Sequence, residues 1–249
     1  MTQPRRFPAA GRLRRMHDLL AAAYGPQHWW PGESPFEVIL GAYLTQNTSW
    51  KAVDSSLANL RAAGAFTVDG LRALPMNDLR RAIQPSGFYT RKAPALKAFV
   101  AMLDREYGGS LERMAAKSTT ELRKQLLALP GVGQETADAI LLYAFNHPVP
   151  VADEYLSRIV ERHQLMQLPT GAKRYQVLSD LTRQAFANDQ ESNHATQFNE
   201  FHALTVAVGK AHCGPAPKCE GCPLAGDLNA VPRSFVSRQR RPRQRNLVK

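Results

Sequence analysis

The segment Leu-Pro-Gly-Val-Gly at positions 129–133 separates two stretches of helical periodicity and contains the residue types of an anion site. Gly131 and Gly133 permit a positive φ and let the backbone approach a neighbour with no Cβ in the way. The following helix would present free N–H groups and a partial positive charge at its start, while Leu129 and Val132 would anchor the hairpin in the core. The pattern predicts a phosphate site. A simple helix-helix turn is the alternative.

Asp153 stands where another helix would begin, ahead of Leu156 and Ile159. A helix start favours the ionised carboxylate. If it were buried opposite a sugar that develops positive charge, as in N-glycosidic bond cleavage, it would stabilise the transition state more than the ground state. It could also orient or deprotonate the attacking water. A plain helix N-cap is the alternative reading of Asp153.

All three tryptophans, Trp29, Trp30 and Trp50, precede the hairpin. Enzymes that act on a base rotate its nucleotide out of the stack. Aromatic walls then hold the base with about 1–3 kcal/mol of stacking, and a positively charged alkylated purine gains a cation–π interaction as well. Such a base is already a good leaving group and needs no strong general acid. Ordinary core packing is the alternative.

The three cysteines, Cys213, Cys219 and Cys222, lie within ten residues of one another. An odd, clustered set is a poor disulfide framework and is more typical of metal ligands. Zinc bound through these thiolates and His212 is one interpretation.

The elements that must position these residues are helices, because the apolar periodicity is helical almost throughout. Ser34 and Pro35 predict one helix start, and Ser118 with Glu121 predicts a capping box at another. Gly64 is expected to end the helix that begins near Trp50. The predicted fold class is all-α.

The expected architecture has two lobes with a cleft between them, where binding pockets usually form. The central helical bundle would span residues 34–155 and include the hairpin 129–133. Residues 1–33 would form an N-terminal arm and helix that pack with a C-terminal lobe at 156–229, which includes the cysteine loop 213–222. Residues 230–249 would be a disordered basic tail.

The composition is that of a globular protein, with 249 residues, 44% hydrophobic and 21% charged. No apolar run approaches the roughly 18 residues that span a bilayer, so we expect a protein without membrane contact, in the cytoplasm. We expect the protein to be bacterial and associated with the nucleoid. An organellar transit peptide is the alternative for the first fifteen residues, which are rich in arginine and lack acids.

The formal net charge of +11 comes from the two ends of the chain, which carry many basic residues and no acid. Basic arms of this kind bind phosphate backbones without reading the base sequence. Arg5, Arg6, Arg12, Arg14 and Arg15 form the N-terminal arm. A solubilising role is the alternative.

The string Leu-Pro-Gly-Val-Gly-Gln-Glu-Thr-Ala-Asp-Ala-Ile from position 129, followed by Pro-Val-Ala-Asp ending at Asp153, resembles the helix-hairpin-helix/Gly-Pro-Asp superfamily of DNA glycosylases, which includes endonuclease III. The resemblance runs from about position 29 to 224. It implies the two-lobed fold of these glycosylases, with the DNA-binding cleft between the lobes. It implies a monomer that acts on double-stranded DNA containing a damaged base, with Asp153 essential. It also implies that the hairpin binds the phosphate beside the lesion, through Leu129, Gly131, Val132, Gly133, Gln134 and Thr136.

Glu135 occupies the position at which the bifunctional members of this superfamily have a nucleophilic lysine. That lysine attacks the sugar as an amine and then cleaves the strand. A glutamate cannot form a Schiff base. The resemblance therefore implies a monofunctional glycosylase, which releases a base and leaves an abasic site without nicking.

Within the superfamily, Trp-Trp-Pro at 29–31, the segment 36–50 and Pro-Ser-Gly-Phe-Tyr at 85–89 are similar to 3-methyladenine DNA glycosylase III. This similarity implies that the three tryptophans line the base pocket and that Gln46, beside Asn47, fills the gap left in the duplex. Alkylated purines are then the expected substrates. A glycosylase for another lesion or mismatch, and a non-catalytic helix-hairpin-helix DNA-binding protein, are the alternatives.

The cysteine spacing resembles the loop that holds a [4Fe–4S] cluster in endonuclease III, where thiolates are the normal ligands. The first gap is one residue short, and Leu228 stands where the fourth cysteine is expected. His212 or Asp227 could complete the set in a structural cluster, and a relic loop without metal is the alternative. A monovalent cation at the hairpin is a further candidate ligand.

Overall fold

The computed structural model describes residues 9–228. All the regular secondary structure in this range is helical. This confirms the predicted all-α class. The helices are α1 (Ala9–Tyr24), α2 (Pro35–Leu44), α3 (Trp50–Ala62), α4 (Val68–Ala73), α5 (Met76–Ala82), α6 (Tyr89–Tyr107), α7 (Leu111–Ala115), α8 (Thr119–Leu127), α9 (Gln134–Ala139), α10 (Glu154–Arg162), α11 (Lys173–Ala185), α12 (His194–Ala211) and α13 (Ala225–Leu228).

Local capping fixes where several of these helices begin. The Ser34 hydroxyl accepts a hydrogen bond from the backbone N–H of Glu37, with Pro35 as the first residue of α2. The Ser118 hydroxyl accepts one from the backbone N–H of Glu121 at the start of α8. Both predicted helix starts are therefore confirmed. Gly64, with φ of 69°, follows the C-cap of α3 as expected.

Helix α2 lies in the centre of the core. Its residues are mostly apolar, and nearly all of its side chains are buried. Ile39, Leu40 and Leu44 are fully buried. The helix packs against α3, α6 and a π-helical turn at Ile140–Ala144 that continues α9. The N-terminal helix α1 packs against α11 and α12, from the C-terminal half of the chain. The division into two lobes stays a prediction.

Three arginines of the expected N-terminal arm, Arg12, Arg14 and Arg15, belong to α1, and the first two are already paired. Arg12 contacts Asp227 at 2.5 Å, and Arg14 contacts Asp189 at 2.7 Å. The prediction that these two form part of a flexible phosphate-binding arm is wrong, because carboxylates of the fold neutralise them. Arg5, Arg6 and the basic segment 230–249 lie outside the described residues.

No helix within residues 9–228 is long and apolar enough to span a membrane.

Candidate active site

The hairpin turns through Gly131, whose φ of 75° lies in the left-handed region that favours glycine. Gly133 has φ of −92° and caps α9 in an extended conformation, so it does not use the positive φ that a glycine permits. A Cβ at Gly133 would meet no atom within 4 Å, so the backbone there faces open space. Val132 is buried and Leu129 half-buried in the core. Binding of a monovalent cation at this hairpin remains a prediction.

Gln46 lies directly against the hairpin. Its side-chain amide donates to the carbonyl oxygen of Gly131 at 3.0 Å and to the hydroxyl of Thr136 at 2.9 Å. Thr136 is buried, so its hydroxyl is used inside the protein, and the neighbouring Gln134 is half-buried. The loop after α2 and the hairpin therefore form one continuous surface.

A buried lysine joins this loop to the next one. The Lys92 ammonium donates to the carbonyl oxygens of Leu44 and Ser86 and to the hydroxyl of Thr48, at 2.8–2.9 Å. Thr48 also donates to the Ser86 carbonyl at 2.5 Å, which makes it a hydrogen-bonding residue of the loop. Burial lowers the pKa of Lys92 to about 8.

Phe88 is the most exposed large apolar side chain among the described residues, at 56% exposure. It directly follows Gly87 and has φ of 46°, which is unusual for a residue with a side chain. Through Ser86 and Lys92, its loop is hydrogen-bonded to the loop of Gln46 and the exposed Asn47. An apolar ring is thus presented to solvent beside the hairpin surface.

Asp153 is buried, with 8% exposure, and begins α10. Its Oδ1 accepts from the backbone N–H of Leu156 at 2.8 Å, so the expected N-cap is present. Its Oδ2 lies 3.6 Å from Nε2 of His202 on α12. One carboxylate oxygen is therefore fixed by a hydrogen bond, and the other lies near His202 without a hydrogen bond to it.

Glu135 lies in the first turn of α9, close enough to Asp153 for their charges to interact. Its side chain reaches solvent, yet protein atoms crowd around the carboxyl group. Burial by these neighbours, and then the negative charge of Asp153, raise the pKa of Glu135 to about 6. The position therefore holds an acid that titrates near neutral pH.

The three tryptophans form one cluster. Their ring centroids are 5.2–5.4 Å apart in all three pairs, and all three residues are half-buried. These are direct contact distances between aromatic rings, so no planar base fits between any two of them in this conformation. Trp30 also contacts the ring of Tyr143 at 5.4 Å. In this conformation a base could therefore contact the tryptophans only at the outer faces of the cluster.

Helix α12 contributes two further charged groups next to the tryptophans. The Glu200 carboxylate accepts the backbone N–H groups of Gln27 and His28, at 2.8 and 3.0 Å, and so fixes the segment that leads into Trp29. The Lys210 ammonium lies 5.8 Å from the centroid of the Trp29 ring.

The cysteines line one small cavity of about 30 Å³, together with His163, His212 and Leu228. Cys213 is buried and accepts a hydrogen bond from Arg162 at 3.1 Å. His212 bonds the carbonyl oxygen of Lys218 through Nδ1, at 3.0 Å. Burial raises the pKa of the Cys222 thiol.

The residues as placed do not fit a four-ligand iron–sulfur cluster. Leu228 offers no donor, and Asp227 is not free to bind a metal, because its carboxylate pairs with Arg12 and His163. Across residues 9–228, no group of three or more His, Cys, Asp or Glu side chains is arranged to hold a metal ion. The expectation that Asp227 could complete the set is therefore wrong.

Sequence reasoning assigned no role at the site to Lys92, Phe88, Tyr143, His202 or Lys210. The signal for Phe88 was present as an apolar residue directly after a glycine in a helix break. The other four lie in amphipathic helical segments, where neither spacing nor residue type separates them from ordinary helix residues.

The family model of the HhH-GPD superfamily of base excision DNA repair proteins matches residues 40–184. The chain belongs to this superfamily and is a DNA repair glycosylase. A protein of Methanocaldococcus jannaschii that is provisionally assigned as a DNA repair glycosylase is 35% identical over 214 residues, which are 85% of this chain and 93% of that protein.

Two solved structures show the same architecture. The 3-methyladenine DNA glycosylase of H. pylori, bound to 1,N6-ethenoadenine, is 28% identical with a TM-score of 0.68, over 82% of this chain and 98% of that one. A non-covalent complex of endonuclease III with DNA is 21% identical with a TM-score of 0.71, over 93% and 99%. The second likeness concerns the fold alone.

Proposed function

We propose that this protein is a monofunctional glycosylase that hydrolyses the N-glycosidic bond of alkylated purines, such as 3-methyladenine, in double-stranded DNA. The observation that carries the proposal is the buried Asp153, which lies within charge-interaction distance of Glu135 and, through His202 and Tyr143, beside the tryptophan cluster. The matched H. pylori enzyme, named for 3-methyladenine, supports this substrate class.

The proposed reaction uses Asp153 as the anion opposite the sugar. The bond between C1′ and the base breaks, and its electron pair leaves with the base. Water forms the new bond to C1′ and loses a proton to Asp153 or to solvent. Because Asp153 is buried, its charge is weakly screened and stabilises the cationic sugar in the transition state.

Strand cleavage is not expected, because Glu135 offers no amine for a Schiff base. Incubation with a lesion duplex and borohydride tests this point. We expect no trapped covalent adduct with the wild type and a trapped adduct with Glu135→Lys. An adduct with the wild type would overturn the monofunctional assignment.

A neutral lesion base is the second candidate substrate, and Lys210 is the observation that favours it. Its ammonium lies near the Trp29 ring, where a cationic base would be repelled. The 1,N6-ethenoadenine bound by the H. pylori enzyme is a neutral base of this kind. Lys210→Gln should then favour 3-methyladenine over ethenoadenine, and an unchanged ratio of the two release rates would exclude this role.

We propose that Gln46 and Phe88 occupy the gap that the extruded nucleotide leaves. Apolar side chains that wedge between base steps unstack and kink DNA. Phe88→Ala should weaken binding to a lesion duplex, while Leu19→Ala, at the other exposed large apolar residue of the described range, should not. Equal affinities of the two variants would contradict the proposal.

The decisive experiment is release of free base from methylated DNA, with the product identified by chromatography. Asp153→Asn keeps an N-cap acceptor for Leu156 and removes the charge, so the protein should fold, bind DNA and release no base. Glu154→Gln removes the adjacent, exposed carboxylate and is the control. Release by Asp153→Asn at the wild-type rate would contradict the proposed role of Asp153.

The cysteine loop takes no part in the proposed reaction. Iron and sulfide analysis of the purified protein tests the expected [4Fe–4S] cluster. Stoichiometric iron would support a structural cluster, and none would leave three thiols in a metal-free loop.

A further inference from the structure

Asp153 is the end of a chain of three side chains that reaches the tryptophan cluster. The hydroxyl of Tyr143 lies 2.5 Å from Nδ1 of His202, and Nε2 of His202 lies 3.6 Å from Oδ2 of Asp153. The side chains of His202 and Asp153 are 10% and 9% exposed. The chain therefore runs through protein rather than through solvent.

The position of the protons follows from the surroundings. Burial, and then the negative charge of Asp153, raise the pKa of Tyr143 well above its ordinary value of 10.0, so its hydroxyl remains protonated at neutral pH. A neutral imidazole carries one N–H and one acceptor nitrogen. The tautomer that suits both neighbours accepts from Tyr143 at Nδ1 and directs its Nε2–H towards Asp153.

The same tyrosine contacts the wall of the tryptophan cluster. Its ring centroid lies 5.4 Å from that of Trp30 and 5.7 Å from that of His202. Gly41 allows Trp30 to pack against α2, because a Cβ at position 41 would lie 2.8 Å from the indole ring. Trp30 is thus confined on one side by a helix and on another by Tyr143.

We propose that Tyr143 and His202 are positioning residues, which hold Oδ2 of Asp153 in place and connect it to the tryptophan cluster at Trp30. This inference rests on the proposed function of Asp153. The backbone N–H of Leu156 hydrogen-bonds Oδ1, and Nε2 of His202, 3.6 Å from Oδ2, limits the rotation of the carboxylate on the other side. A displacement of Trp30 by an entering base would move Tyr143 and, through His202, Asp153.

The activity test compares variants of His202 in single-turnover base release. His202→Leu should lower the rate roughly 10- to 100-fold, as a small misplacement of a reacting group does. Affinity for uncleaved lesion DNA should stay the same. His202→Gln, whose amide N–H can replace Nε2–H, should recover most of the rate.

The matched control is His194→Leu, which removes another histidine of α12, one that stacks on Phe198 and bonds the Phe186 carbonyl. It should lower stability without changing the release rate. Tyr143→Phe should fall between wild type and His202→Leu. A His202→Leu variant that folds and keeps the wild-type rate would overturn the proposal.

A second measurement needs no substrate. The side-chain ¹⁵N signals of His202 in the free, full-length protein should report an Nε2–H tautomer, and Tyr143→Phe should shift that equilibrium. An Nδ1–H tautomer in the wild type would overturn the inference. Wild-type protein that releases no base from any lesion would instead overturn the proposed function, so the two failures are distinguishable.

Discussion

At the scale of single residues, Glu135 sets the charge and the protonation behaviour of the site around Asp153. It lies two residues beyond the hairpin and shares its surroundings with Asp153, and its pKa is raised to about 6. At pH 7 Glu135 is mostly ionised, so in the proposed reaction its negative charge would lie near the cationic sugar.

Replacing Glu135 by Gln should stabilise the free protein above pH 6. The folded state binds the Glu135 proton more tightly than the unfolded state, whose pKa is near 4.5. Wild-type stability therefore falls as pH rises from about 4.5 to 6, and the variant avoids this loss. The gain should stay below about 1 kcal/mol, because solvent screens an exposed group.

Urea unfolding at pH 4.5 and 7.5 measures this difference, with Glu191→Gln, at an exposed glutamate of another segment, as the control. A Glu135→Gln variant less stable than wild type at pH 7.5 would contradict the prediction.

At the scale of elements, the ammonium of Lys92 on α6 holds two loops together. It binds the end of α2, the loop that carries Gln46 and the turn that carries Phe88. A second lysine of the same helix, Lys97, binds three backbone carbonyl oxygens around α4 at 2.6–2.9 Å. The two lysines therefore form similar hydrogen-bond sets, and only the first lies at the proposed DNA surface.

Lys92→Met should lower the free energy of unfolding by about 2–3 kcal/mol at pH 7, because buried acceptors lose their partner. It should also slow nucleotide extrusion, followed by 2-aminopurine fluorescence next to the lesion. Lys97→Met is the matched control and should lower stability without affecting extrusion. Equal extrusion rates for the two variants would contradict the positioning role of Lys92.

At the scale of the whole molecule, an ion pair joins the first and last described helices. Arg12 of α1 and the buried His163 contact the same carboxylate oxygen of Asp227 in α13, at 2.5 and 2.9 Å. Arg12 also donates to the His163 carbonyl oxygen at 2.9 Å. This three-residue network holds the C-terminal cysteine loop against α1 and α10.

Asp227→Asn should lower the free energy of unfolding by about 1–3 kcal/mol at pH 7. Burial alone would raise the pKa of Asp227, but hydrogen bonds from His163 and Arg12 bring it below its ordinary value of 3.8. The contacts of Asp227 with Arg12 and His163 therefore stabilise the folded protein above pH 3.8. This stabilisation is lost as the pH falls through the lower pKa that Asp227 has in the folded state.

Thermal unfolding across this range checks the prediction. Asp180→Asn breaks a half-exposed pair with Arg183 and should cost less than about 1 kcal/mol. If the difference in stability between wild type and Asp227→Asn persisted below the pKa of Asp227 in the folded state, it would contradict the prediction.

The features that could be predicted from sequence depend on residues close together in the chain. The caps at Ser34 and Ser118, the hairpin after α8 and Asp153 at the start of α10 follow from local hydrogen bonding, and the structure contains each of them. The sequence left open which glycine of the hairpin would supply the left-handed turn, and in the structure Gly131 supplies it while Gly133 is extended. The short helix α4 has too few residues for a periodic signal.

By itself, the sequence determined an all-helical chain with a glycine hairpin, a helix-starting aspartate and a tryptophan-rich segment. The resemblance to the superfamily added the prediction that Glu135 stands in the place of a nucleophilic lysine. Only the tertiary structure decided that the tryptophans fill the space between one another, that Asp227 is already paired, and that His202 reaches Asp153. The physical reason is that these contacts join distant parts of the chain. Their geometry depends on how whole helices pack, and residue type and spacing do not encode it.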